Sequence, residues 1–155
     1  MSFQIHALPI EPFAADFSLA NDALRKRGIR RVVADARPAY PCRVSLRDAG
    51  EGERLLLLPY VHHDVDTPYR ASGPIYVREA AVRALPEVDA VPALLRPRLL
   101  SLRAYDARGM MLSADVVPGN EVESGIAQLF ALDRSAYLHV HYAKPGCYAC
   151  RVERT

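Results

Sequence analysis

Leu99-Leu100-Ser101-Leu102-Arg103-Ala104-Tyr105, then Asp106-Ala107-Arg108-Gly109, then Met110-Met111-Leu112-Ser113-Ala114-Asp115-Val116-Val117 decides the fold class. Two strand-length runs flank a turn segment that ends in glycine, so the chain must double back and pair antiparallel. Tyr137 to Ala143 and Cys147 to Val152 repeat the arrangement around Lys144-Pro145-Gly146. Two hairpins disfavour parallel β-α-β winding, in which strands and helices alternate.

Working outward, Glu53 to Val61 carries a four-leucine run that suits a strand buried on both faces. Phe3 to Leu8 alternates as an opening strand, Arg31 to Ala34 and Cys42 to Leu46 read as short extended segments, and Pro74 to Val77 follows a polar loop from His62 to Gly73. Leu19 to Arg27 has an apolar stripe, a Ser18 cap and a Gly28 exit, which predicts one helix. Asn120 with Glu123 resembles a capping box opening a second, whose Val122, Ile126, Leu129 and Phe130 share a face. Glu79 to Leu85 reads as a possible short helix before Pro86, Pro92 and Pro97 interrupt the chain. The expected fold is α+β: a mainly antiparallel sheet of about six to eight strands with two principal helices, in a single domain over residues 1–155.

The chain has 155 residues, half of them hydrophobic and a quarter charged, which excludes disordered, collagen-like and coiled-coil classes. Twenty basic residues against 18 acidic ones give a net charge of +2 without a sustained basic stripe, so nucleic acid is not the expected partner. No stretch approaches the ~18 apolar residues of a membrane span, and no secretory signal opens the chain. Cys42, Cys147 and Cys150 are too few and too odd in number for a disulfide framework, which points to the cytoplasm.

His139-Val140-His141 is the most suggestive chemical feature, because residues two apart on a strand project from one face. Leu138, Val140 and Tyr142 form the opposite, apolar face. Both histidines are candidate acid–base groups, with Arg43, Tyr69, Arg70 and Arg103 as candidate ligands for a small anion. Arg70 or Arg103 is expected beside the imidazoles. A metal held by the two histidines is a weaker alternative, and the candidate set assigns no metal ligands. Cys147 and Cys150 have opposite strand parity, so only one can join the histidines: an even hairpin loop selects Cys150, an odd one Cys147. His62, His63, Asp64 and Asp66 are second-rank candidates in the loop. The chain lacks Walker, dinucleotide-binding, HExxH and GxSxG motifs, so the sequence fixes neither cofactor nor reaction.

Tyr40-Pro41-Cys42-Arg43-Val44-Ser45-Leu46, Pro68 to Arg78, Arg103-Ala104-Tyr105-Asp106, and His139-Val140-His141 with Gly146-Cys147 together resemble the mostly bacterial domain of unknown function 1203 family. The similarity spans nearly the whole chain, and Cys147 belongs to the pattern whereas Cys150 does not. It implies a free-standing cytosolic domain and transfers no activity, substrate or catalytic residue. The residues therefore favour an anion-binding domain or enzyme with a His/Arg/Tyr pocket. The rival is a noncatalytic protein-interaction domain, marked by an exposed apolar patch.

Overall fold

A computed structural model describes residues 1–155. Eight strands form two antiparallel sheets: β1 (Phe3–His6), β2 (Arg30–Val33), β3 (Arg54–His63), β4 (Ala71–Arg78), β5 (Leu99–Tyr105), β6 (Met111–Pro118), β7 (Tyr137–Tyr142) and β8 (Tyr148–Arg154). The larger sheet has the order β1-β8-β7-β5-β6 and the smaller the order β2-β3-β4. Helices α1 (Glu11–Ala14), α2 (Asn21–Lys26) and α3 (Val122–Phe130) complete the α+β fold, α2 and α3 being the two principal ones. The expected strand number and antiparallel pairing hold, but the strands divide into two sheets.

The β5–β6 hairpin forms as its sequence requires. Asp106 Oδ1 accepts the backbone N–H groups of Arg108 and Met110 at 2.9 and 3.0 Å, and Gly109 supplies the positive φ of 88°. Alternation then sorts β5. Leu100, Leu102 and Ala104 turn towards α3, while Ser101, Arg103 and Tyr105 occupy the other face. Val122, Ile126, Leu129 and Phe130 of α3 close a core shared with Leu138, Val140, Tyr142 and Cys150. Each large side chain fully buried there contributes about 1.5–3 kcal/mol. A second core joins β3 and β4 to Phe13 and Leu24 of the short helices and to Tyr148 of β8.

Several local expectations are corrected. Cys42 to Leu46 is no strand: it makes single bridges and a turn in which Leu46 has φ 47°. No helix forms over Glu79 to Leu85, where Val82 and Leu85 stay 80% and 84% exposed and so provide no buried stripe. The proposed caps are also unused. α2 begins after Ala20, and α3 after Glu121 without a side-chain cap, because Glu123 instead receives a paired hydrogen bond from Arg96. Finally, β3 runs on through His63, so the connecting loop is shorter than the sequence suggests.

Candidate functional site

β7 is buried at every position, which explains why both of its faces matter. Leu138, Val140 and Tyr142 enter the core beneath α3, leaving His139 and His141 on the opposite face. Antiparallel register fixes their neighbours: Arg103 on β5 and Arg151 on β8 flank His139, whereas Ser101 and Tyr148 flank His141. Directly opposed residues share a sheet face, so these side chains meet there. The end of β3 covers them with two more imidazoles.

His62 lies between the histidines of β7 and Tyr148. Its ring centroid is 5.0 Å from His141 and 6.2 Å from His139, and it stacks on Tyr148 at 5.4 Å. His63 lies 5.0 Å from His139 and 4.2 Å from Tyr105. Its Nδ1 donates to the Tyr69 carbonyl at 2.8 Å, and its Nε2 is hydrogen-bonded to the Tyr137 hydroxyl at 2.7 Å. Both ring nitrogens of His63 are thereby engaged.

The other three imidazoles are not satisfied. His62 Nδ1, His139 Nδ1 and His141 Nε2 are buried without a hydrogen-bond partner, an arrangement that costs about 1–3 kcal/mol for each group. Burial pushes the pKa of His139 down to about 2 and of His141 down to about 3. It also lowers His62 to about 4, with the Arg103 charge acting in the same direction. At neutral pH His141 is therefore uncharged. Its Nδ1–H donates to the Gly146 carbonyl at 3.0 Å, which leaves Nε2 as a lone-pair acceptor facing the cluster.

Arg103 supplies the cation. Its Nε reaches Ser101 Oγ at 3.4 Å, and no carboxylate lies within ion-pair distance. Of the other sequence candidates, Tyr69 borders the layer through its carbonyl and an edge contact with Tyr105 at 6.4 Å. Arg70 instead pairs with Asp64 in the exposed loop. Arg43 is buried against the end of the β7–β8 turn, where it bonds the Tyr148 carbonyl and Cys147. The candidates thus divide into a histidine–Arg103 layer and a separate Arg43 environment.

His62 and His63, second-rank loop candidates in the sequence, prove to be strand residues that face the β7 histidines. Period-two continuation of β3 beyond Val61 was an available signal, but the register shift between Tyr60 and His63 interrupts it. The β7–β8 connection spans residues 143–147, an odd loop, and it carries Cys147 beside the Gly146 carbonyl that holds His141. Cys150 faces Val140 in the core, where burial raises its thiol pKa to about 12. No group of three His, Cys, Asp or Glu side chains is arranged to hold a metal ion.

Fold and site together define a two-sheet α+β protein with a buried imidazole–tyrosine layer beside an unpaired guanidinium. Residues 39–154 match the family described as protein of unknown function DUF1203, and the chain belongs to that family. No curated protein and no solved structure gives a match. No helix is long and apolar enough to cross a membrane.

Proposed function

We propose that the histidine layer binds a small anionic molecule, with Arg103 holding the negative charge and His139 and His141 forming hydrogen bonds that also suit proton transfer. The observation that carries this reading is the gathering of three unpartnered ring nitrogens beside a guanidinium without a carboxylate. A ligand oxygen would satisfy His62 or His139 when Nδ1 is protonated, whereas His141 Nε2 would accept a ligand hydroxyl. A bound anion also favours imidazolium, so it would make the histidines stronger bases than they are in the empty layer. Thermal-shift measurements with inorganic phosphate, malonate and phosphorylated sugars test the reading. At least one should stabilise the wild type and lose most of that effect in Arg103→Gln. Equal stabilisation of both proteins, or of neither, would refute it.

A second reading, a protein-interaction domain, is favoured by the exposure of Val82 and Leu85 at 80% and 84%. A Leu85→Asp change should abolish self-association if that segment forms an interface between copies. Light scattering that reports a monomer for wild type and variant alike counts against such self-association.

A further inference from the structure

A cleft of about 570 Å³ is lined in part by Lys144, Pro145 and Cys147 of the β7–β8 turn. None of His62, His139, His141 or Arg103 lines it, so it is a separate cavity, although the Arg43 charge reaches His141 electrostatically. Its wall includes Arg43, only 1% exposed. Arg43 Nε donates to the Tyr148 carbonyl at 2.7 Å, Nη1 to the Pro41 carbonyl at 2.5 Å and Nη2 to Cys147 Sγ at 3.0 Å. Three of the five N–H groups of a guanidinium are thus occupied, and one remains on each terminal nitrogen. None meets a carboxylate. A buried cation without a counter-charge carries a desolvation penalty of several kcal/mol.

Two further cations, Arg98 and Lys144, line the same cleft, and no Asp or Glu does. Asp48 engages Arg98 at 2.5 Å, whereas exposed Lys144 on the turn has no ion-pair partner. The Tyr142 ring lies between Arg43 and Arg98, with their Cζ atoms 5.1 and 5.2 Å from its centroid. Leu57, Leu99, Pro74 and Pro97 give the remaining wall an apolar character. The lining thus combines three cations with hydrocarbon side chains and lacks a carboxylate.

We propose that this cleft binds a small amphipathic carboxylate, an aryl or short acyl acid. Its head lies between Arg43 and Lys144, and its hydrocarbon body rests on Leu57, Leu99 and the prolines. The two N–H groups left on Arg43 match a carboxylate's two oxygens in number, and the apolar wall favours a body that a phosphate ion lacks.

Cys147 is a built-in reporter, because Cys42 and Cys150 are 0% and 1% exposed and only Cys147 lies in the cleft. Iodoacetate and iodoacetamide both form an S–C bond with loss of iodide, but only the former is anionic. The iodoacetate-to-iodoacetamide rate ratio at Cys147 should exceed that of glutathione on the order of tenfold. It should fall towards the glutathione value in Lys144→Glu, a substitution of an exposed residue that disturbs no structural hydrogen bond. Benzoate should slow labelling, while benzamide and inorganic phosphate should do so far less. A wild-type ratio equal to that of glutathione overturns the cationic site. Equal protection by benzoate and acetate overturns the apolar half. Both measurements read Cys147 alkylation and neither uses Arg103→Gln, so failure here is separate from failure of the Arg103 reading.

Discussion

Lowering the pH from 7 to 5 should destabilise this protein through His139 and His141. Each is almost completely buried, at 2% and 1% exposure, and burial holds its pKa at about 2 and about 3, well below the 6.5 of an unfolded imidazole. The native state therefore binds fewer protons than the unfolded chain once the pH falls below 6.5. Their full contribution is present above that value and is lost as the pH drops towards the folded pKa values, with a limiting slope of about 1.4 kcal/mol per pH unit for each histidine. Between pH 7 and pH 5 the loss is about 2 kcal/mol per residue, or about 4 kcal/mol for the pair, a large share of ordinary domain stability. His62, lowered to about 4, acts in the same direction. His63, Arg103, Arg151 and Arg43 also act on this layer electrostatically and oppose protonation of His139 or His141.

Glu53 acts in a different window. Arg78 and the Gly50 N–H hold it near 2, so its contribution is lost only below the unfolded value of 4.5. Urea unfolding followed by far-UV circular dichroism at pH 7, 6 and 5 measures the histidine effect. The slope should fall by one proton in His139→Asn. A change below about 1 kcal/mol across this range, with constant m, would refute the assignment of these imidazoles as buried and neutral.

Two further outcomes follow from named contacts. Gly119→Ala should destabilise by about 3 kcal/mol, because a Cβ there would stand 1.9 Å from the Leu95 carbonyl oxygen; a denaturation midpoint within error of wild type contradicts that packing. If phosphate or malonate occupies the histidine layer, its binding should take up protons and tighten as the pH falls from 7 to 5. Calorimetry in two buffers of different ionisation enthalpy measures this uptake, and identical heats at equal affinity contradict it.

Much of the larger sheet is legible in local sequence. The β5–β6 hairpin carries alternation and its own turn chemistry, and the α3 stripe matches four buried residues. The division into two sheets is not legible, because membership depends on which distant strands pair. Cys42 to Leu46 illustrates the same difficulty: Cys42, Arg43, Val44 and Leu46 are buried, yet tertiary contacts turn the chain where composition suggests extension. At the candidate site, period two places His139 and His141 on one face and the register adds Arg103. It does not reveal that β3 crosses that face. The strand placement of His62 and His63 was obscured by a register shift, and the hydrogen bonds of Arg43 to the Tyr148 carbonyl and Cys147 depend on tertiary packing.

The most direct test of anion binding is a side-chain ¹H–¹⁵N spectrum that resolves both nitrogens of each imidazole during titration with phosphate and malonate. His62 Nδ1, His139 Nδ1 and His141 Nε2 should respond saturably to at least one probe, while His63, whose nitrogens already have partners, changes less. The same titration of folded Arg103→Gln should require much more ligand. If the three nitrogens of the folded wild type respond to neither probe, or respond identically after Arg103 is replaced, the central account is contradicted.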